Sequence, residues 1–99
     1  MIGRLKRIKT NEGRQAEFES LFKELDALVK SNESGCKVHE LYKSPTDNHS
    51  YVVVEQYVDE GAVDAHTESE RAYFDRIRPL LEKVEIETFR YEKSDKIAV

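Results

Sequence analysis

The sequence predicts one α+β domain, in which two helices cover one face of a four-stranded antiparallel sheet. The chain has 99 residues, which is enough for one domain and too few for two. Two segments repeat their apolar residues with the helical period, and four shorter segments have the composition or the alternation of strands. The predicted order is strand, helix, strand, strand, helix, strand, with a core over residues 2–91 and a frayed, mostly polar tail over residues 92–99.

The first part of the chain supplies one strand and one strongly amphipathic helix. Residues 2–9 place Ile2, Leu5 and Ile8 among charged residues, which indicates a strand, and residues 10–13 form a turn. Residues 14–31 predict a helix, because six apolar residues recur on one side of it: Phe18, Leu21, Phe22, Leu25, Leu28 and Val29. Gly35 is expected to end this helix as a left-handed residue.

The central segments predict a β-hairpin. Residues 36–43 and 50–58 are rich in strand-forming residues, and the loop between them is rich in turn formers. The register assumed here places Tyr42 opposite Tyr51, and a slip of one residue would exchange the two faces of a strand. One face then carries Cys36, Val38, Glu40, Tyr42, Tyr51, Val53, Glu55 and Tyr57. The other carries Lys37, His39, Leu41, Val52, Val54, Gln56 and Val58.

The last part of the chain predicts a second helix and a final strand. Asp59 is a suitable N-cap, and the helix is expected to run from Glu60 to about His66, break near Ser69 and resume to about Arg78. Pro79 then weakens it, and residues 84–91 alternate as a strand. With right-handed crossovers, this order of elements predicts the ferredoxin-like βαββαβ arrangement.

Composition narrows the classes of protein that fit. The net charge is −4 and the basic residues form no block, so no nucleic-acid partner is expected. No run approaches the ~20 apolar residues of a membrane span, and the start of the chain lacks a signal-peptide pattern, so we expect a cytoplasmic protein without a membrane partner. Cys36 is the single cysteine, which leaves no intrachain disulfide, and no metal-ligand spacing is visible.

A homodimer follows from the two-sided hairpin. Both of its faces carry large apolar residues, whereas two helices can cover only one face of the sheet. The second face therefore needs a partner, and a two-fold dimer through this sheet face is the commonest solution. The alternative is a monomer whose outer sheet face is half-exposed valine.

His66 is the strongest single candidate for chemistry. It falls on the apolar side of the second helix, and a neutral imidazole can accept a proton near neutral pH; the alternative is a core histidine held by one hydrogen bond. Tyr57 is a candidate hydrogen-bond donor to a phenolic substrate, while His39 and His49 rank lower. Further candidates for a substrate pocket, each with core packing or an ordinary paired carboxylate as its alternative, are Phe22, Glu40, Glu55, Tyr73 and Phe74.

The segment from Gly35 to His66 resembles the core of the antibiotic biosynthesis monooxygenase family. The motifs that carry the resemblance are Gly35–Cys36, Glu40–Leu41–Tyr42, Ser44–Pro45 with Asp47, Glu55–Gln56–Tyr57, and Ala62 to Ala65–His66. Their order and spacing extend the resemblance over roughly residues 2–91. It implies a ferredoxin-like fold that dimerises through its sheets into an α+β barrel. It also implies oxidation of a small aromatic or quinol substrate by O₂ without metal or flavin.

The resemblance also implies roles for particular residues. His66 would be the base and Tyr57 a donor, and no cofactor is expected. The strand-end aromatic, often Trp in the family, is Tyr57 here, and Arg71 stands where many members have a second His. Haem-degrading members use an Asn and a Trp at the positions that Lys6 and Tyr57 occupy here. They also use a His on the second helix as the haem ligand, and this chain has no His on that helix after His66. Haem degradation is therefore not expected.

Two other functions stay open at this point. A non-catalytic dimer that binds a small molecule would have a pocket filled by Tyr57, Phe74 and Phe22, whereas an apolar pocket with His66 facing in favours the oxygenase. An isomerase or degradative enzyme for a phosphorylated metabolite would need cations that converge on the pocket. Lys6, Arg71 and Arg90 are the candidates for that role.

Overall fold

The computed structural model describes residues 1–90, which form the predicted order of elements. The strands are β1 (Ile2–Thr10), β2 (Cys36–Lys43), β3 (Ser50–Tyr57) and β4 (Leu81–Arg90), and the helices are α1 (Gln15–Asn32) and α2 (Glu60–Ile77). A 3₁₀ turn, Arg78–Leu80, joins α2 to β4. The expected end of the last strand at residue 91 and the expected tail over 92–99 lie outside the described residues. Within residues 1–90, neither helix has the length and apolar character needed to cross a membrane.

The four strands form one antiparallel sheet in the order β2-β3-β1-β4. This is the ferredoxin-like arrangement that the sequence predicts. The core lies between one sheet face and the two helices, and the predicted stripe of α1 supplies five buried residues to it, while Leu28 is half-buried. The core cluster consists of Ile8, Phe18, Leu21, Phe22, Leu25, Val29, Tyr51, Val53, Ile77, Leu80 and Leu81.

The hairpin register assumed from the sequence is correct at one end and wrong over the rest. Cys36 pairs with Tyr57 as assumed, but the register shifts between Cys36 and Val38, so that Tyr42 pairs with Val52 and Lys43 with Tyr51. An irregularity of this kind places an extra residue in one strand and turns the residues beyond it to the other face. His39 and Leu41 therefore share the helix-covered face with Tyr51, Val53, Glu55 and Tyr57, and Glu40 does not.

The helix α2 is continuous, and the expected break near Ser69 is wrong. The hydroxyl of Ser69 donates to the carbonyl of Ala65 at 3.1 Å, and that of Thr67 donates to the carbonyl of Val63 at 3.0 Å, so both polar side chains bond within the helix. The predicted N-cap is confirmed, since Oδ1 of Asp59 accepts from the backbone N–H of Ala62 at 2.9 Å. The last strand begins at Leu81, earlier than expected, because it pairs with the end of β1 beyond a register shift.

Gly35 is required by a close approach and not by a left-handed backbone, which corrects the expectation from the sequence. Within residues 1–90, Gly13 is the glycine with positive φ, at 78°. A Cβ on Gly35 would lie 2.6 Å from Cβ of Ala62 and 3.3 Å from Cγ2 of Val58. The start of β2 therefore passes directly against the first turn of α2, and only glycine leaves room for this contact.

Candidate active site

A cavity of about 350 Å³ lies between the sheet and the helices, at the small end of the range for ligand pockets. Both helices and the sheet contribute to its apolar lining. The residues are Phe18, Phe22 and Leu25 of α1, Phe74 and Ile77 of α2, and Ile8, Val53, Leu81, Val84 and Ile86 of the strands. Phe74 is 42% exposed and Ile86 54% exposed, so these two residues mark its open side. The polar residues Arg4, Lys6, His39, Glu55, Thr67, Glu70 and Arg71 complete the lining.

Glu55 is the centre of the buried polar wall. It is 2% exposed on β3, and Arg4 lies opposite it on β1. The hydroxyl of Tyr57 donates to Oε1 of Glu55 at 2.5 Å, and Nε of Arg4 lies 3.2 Å from the same oxygen. Nζ of Lys6 lies 2.9 Å from Oε2 of Glu55 and 3.0 Å from Oε1 of Glu70. Lys6 therefore bridges two carboxylates that come from the sheet and from α2.

These contacts fix the charge states of the wall. Burial alone would raise the pKa of Glu55, but the charge of Lys6, the hydroxyl of Tyr57 and the charge of Arg4 outweigh burial and lower the pKa. Burial likewise opposes the shift of Glu70, whose pKa is lowered to about 2 by His66 and Lys6. The pKa of Tyr57 is raised by burial and by the neighbouring carboxylate of Glu55. Both carboxyl groups are thus ionised at neutral pH, and Tyr57 stays a donor.

His39 lines this cavity and is oriented by a carboxylate. It lies opposite Glu55 in the sheet and is 3% exposed. Its Nδ1 lies 2.9 Å from Oδ1 of Asp26 on α1, and its ring stacks on Phe22 with centroids 5.0 Å apart. Burial raises the pKa of Asp26, but its bonds to His39 and Lys30 lower it overall. In the neutral form of the imidazole, an ionised Asp26 accepts a hydrogen bond from the Nδ1–H of His39, which leaves Nε2 as the acceptor.

His66 lies next to His39 but does not line the cavity. It is fully buried, and its ring centroid is 5.3 Å from that of His39 and 5.4 Å from that of Tyr57. Its Nδ1 lies 3.0 Å from Oε1 of Glu33, the residue that follows α1. Its Nε2 lies 3.2 Å from Oε2 of Glu70, although this contact lacks the alignment of a hydrogen bond. His66 thus ties the end of α1 to α2 through carboxylates.

The sequence profile of antibiotic biosynthesis monooxygenases matches residues 1–77. The chain belongs to the antibiotic biosynthesis monooxygenase family. A solved structure of a candidate antibiotic biosynthesis monooxygenase from Caulobacter crescentus CB15 has 32% identity and a TM-score of 0.86, over 93% of this chain and 90% of its own. A conserved protein from Methanosarcina mazei Go1 has 23% identity and a TM-score of 0.84, over 92% of each chain, which shows the fold alone. No match was found among the curated proteins.

The structure of this monooxygenase-family chain divides the residues that the sequence singled out. Phe22, Glu55 and Phe74 line the cavity. Tyr57 and His66 are buried behind its polar wall, where Tyr57 contacts Glu55 and His66 contacts Glu70. All five residues therefore belong to one connected region of the family fold.

Two candidates lie elsewhere. Glu40 is exposed, lies opposite Val54 and has its Oε1 3.3 Å from Nζ of Lys30, so it does not face the cavity. Tyr73 is half-buried against the core, with the guanidinium of Arg76 5.7 Å from its ring centroid. Neither lines the cavity: Glu40 is turned away by the register shift in β2, and Tyr73 serves in packing.

Sequence reasoning did not place His39 beside Glu55 and gave Asp26 no role. The assumed register put His39 on the sheet face opposite to that of Glu55. The apolar period of α1 could have indicated the contact between Asp26 and His39. Asp26 lies at the edge of the buried stripe, between the buried Leu25 and the half-buried Leu28. A carboxylate at the margin of the buried stripe can reach a polar group on the sheet, as Asp26 reaches His39.

Proposed function

We propose that this chain is a cytoplasmic, cofactor-independent monooxygenase that oxidises a small aromatic or quinol-type substrate with O₂. The observation that carries the proposal is His39, which is held by Asp26 and lines a cavity whose apolar lining includes three phenylalanines. Such a reaction requires one base, an apolar pocket and oriented donors. His39 takes the place of His66 as the base in this proposal, because His66 lies behind the wall.

The chemistry balances without a further reductant. Nε2 of His39 accepts a proton from the bound hydroquinone, and the resulting anion passes an electron to O₂. A carbon–oxygen bond then forms at the ring, and the oxygen–oxygen bond breaks. One oxygen atom stays in the hydroxyquinone and the other leaves as water, so the substrate supplies all the electrons. Lys6 and Arg4 line the same cavity, but both are paired with Glu55, so neither is assigned a separate charge for the reduced oxygen.

The charge balance of the cavity disfavours a phosphorylated substrate. Lys6 and Arg71 do line the cavity, but Lys6 is paired with Glu55 and Glu70, and Arg71 with Glu68. Arg90 is paired with Glu60 at the start of α2. The cations are therefore already matched by carboxylates, whereas a phosphate site needs unmatched positive charge.

The test is oxygen uptake by metal-stripped protein with a panel of hydroquinones and anthrones. We expect turnover that falls by a factor of ~10²–10⁴ in His39→Gln, the range for loss of a general base, with less loss in His66→Gln. His49→Gln serves as the matched control, because His49 lies in the hairpin loop, outside the cavity. Binding of the panel without oxygen uptake would favour a non-catalytic binding module. A larger loss in His66→Gln than in His39→Gln would return the role of base to His66.

We also propose that the chain forms a homodimer through the sheet face opposite the helices. Within residues 1–90, no helix covers this face, and Tyr42 and Phe89 on it are 60% and 55% exposed. Leu5, Val52 and Val54 continue the same apolar surface. Light scattering should give twice the chain mass of 11.5 kDa, and Val54→Asp should give a folded monomer, because a charge buried in an interface is unfavourable. A wild-type monomer at micromolar concentration contradicts this proposal.

A further inference from the structure

We propose that His39, Glu55 and His66 form a binding site for one divalent transition-metal ion of the zinc class. One ring nitrogen of each histidine and one carboxylate oxygen of Glu55 all lie within 4.8 Å of one another, and all three residues are buried. They come from β2, β3 and α2 respectively. Two imidazoles and a carboxylate are a donor set that suits Zn²⁺, with a fourth position for water or another oxygen.

Both histidines already have the outer contacts that are typical of metal ligands. Nδ1 of His39 lies 2.9 Å from a carboxylate oxygen of Asp26, and Nδ1 of His66 lies 3.0 Å from a carboxylate oxygen of Glu33. A carboxylate on Nδ1 fixes the tautomer and the ring orientation and leaves Nε2 as the donor to a metal. Two neighbouring histidines thus each have a carboxylate on Nδ1. A single histidine that only packs in the core would not need such a pair of contacts.

One buried polar atom of this cluster lacks an aligned hydrogen-bond partner. It is Nε2 of His66, which lies 3.2 Å from Oε2 of Glu70, so Glu70 can supply the fourth ligand. Oε2 of Glu55 lies 2.9 Å from Nζ of Lys6, so a metal ion bound at this oxygen would displace the ammonium group. An unpaired buried nitrogen is unfavourable, and a bound cation would satisfy it.

Charge and size both permit the ion. Four carboxylates face this region, on Asp26, Glu33, Glu55 and Glu70, against the cations Arg4, Lys6 and Lys30, so a further cation is favoured over an anion. Ligands of tetrahedral zinc lie about 2.0–2.2 Å from the metal and about 3.4 Å from each other. The ligand atoms lie within 4.8 Å of one another in this structure, so the three side chains must move closer together to bind the ion.

This inference goes beyond the proposed oxygenase and does not depend on it. A metal ion on His39 would occupy the nitrogen that the oxygenase needs as a base, so Zn²⁺ would bind and inhibit at the same place. The cavity supplies the route to the site, because His39 and Glu55 both line it.

The test is calorimetric titration of metal-stripped protein with Zn²⁺, supported by the visible absorption of the Co²⁺ form. We expect one ion per chain and a Co²⁺ spectrum of four- or five-coordinate type. Glu33→Gln should weaken binding by ~10-fold or more through its outer contact, and Glu55→Gln and His66→Gln should weaken it further. Circular dichroism establishes that each variant is folded, and Glu55→Gln, which keeps the shape of the side chain, serves where His66→Gln does not fold.

His49→Gln is the matched control and should bind Zn²⁺ as tightly as the wild type. Absence of binding to folded protein would overturn the inference, as would equal affinity in Glu55→Gln or a loss of binding in His49→Gln. Oxygen uptake is measured separately on metal-free protein. Zinc binding without oxygenase activity would leave this inference standing and refute the proposed function, and activity without zinc binding would do the reverse.

Discussion

Replacing Gly35 by alanine tests the tightest contact between the sheet and α2. The new Cβ would lie 2.6 Å from Cβ of Ala62 and 3.6 Å from its Cα, whereas carbon atoms in contact prefer about 3.5–4.0 Å. The first turn of α2 must therefore move by about 1 Å, because neither Cβ can rotate away. Overpacking of this kind costs about 1–3 kcal/mol, and Gly35→Ala belongs in the upper half of this range because the Cβ of Ala62 is fixed to the backbone of α2.

Part of this loss is offset in the unfolded chain. Alanine restricts the unfolded backbone and so stabilises the fold by about 0.4–1 kcal/mol where no strain arises. The net destabilisation is then about 1–2 kcal/mol. For a domain of this size, each kcal/mol lowers Tm by about 4–8 °C, so we expect thermal unfolding followed by circular dichroism to show Tm about 5–15 °C below the wild type.

Gly61→Ala is the matched control, since it makes the same change at an exposed position of α2 that precedes Ala62 directly in the chain. There the new Cβ would meet only Oδ1 of Asp59, at 3.4 Å, and Tm should stay the same or rise. Adding Ala62→Gly to Gly35→Ala should recover stability relative to the sum of the two single changes, because it removes the clashing atom. The reasoning is refuted if Gly35→Ala is as stable as Gly61→Ala or if the double variant shows no coupling.

Two further predictions concern charges. Lys6→Met should lower the free energy of unfolding, measured by urea titration, by about 3–5 kcal/mol, the usual effect of breaking a buried ion pair. Adding Glu70→Gln should restore part of the lost stability. A Lys6→Met variant as stable as the wild type would refute the prediction. The pKa of Glu19 is lowered by the hydroxyl of Tyr51 and by Lys43, so Glu19 stabilises the fold above the pKa of an unfolded carboxyl and loses this effect as pH falls through its lower, folded pKa. Glu19→Gln should therefore lower Tm slightly at pH 7, as expected for an exposed pair. The difference should shrink as the pH falls below the pKa of an unfolded carboxyl, and a difference that grows in acid would contradict the assignment.

The element order was predictable because apolar spacing decides it. The stripe of α1 begins at Phe18 and continues to Val29, and five of its six residues are buried as expected. The alternation of β3 likewise predicted which of its residues share a face, and Tyr51, Val53, Glu55 and Tyr57 are all buried. A helix or strand that buries one face must place apolar residues at the spacing of that face, so this spacing is visible in the sequence.

The partners of these residues were less predictable, because they depend on a local irregularity. The register shift between Cys36 and Val38 leaves no clear mark in composition, yet it brings His39 beside Glu55 and turns Glu40 outward. The cluster of His39, Glu55 and His66 was invisible for a related reason. Its members lie far apart along the chain on three elements, so no motif spacing connects them.

Mutations in the polar wall of the cavity and mutations at its open side have different consequences. Its polar wall joins both helices to the sheet through charged contacts, so a substitution there alters folding and chemistry together. Phe74 and Ile86 on the open side are 42% and 54% exposed, and they shape the entrance without supporting the charged network. Exchanges at these two positions can therefore change the shape of the entrance, while the folding free energy and the buried charged contacts stay nearly unchanged.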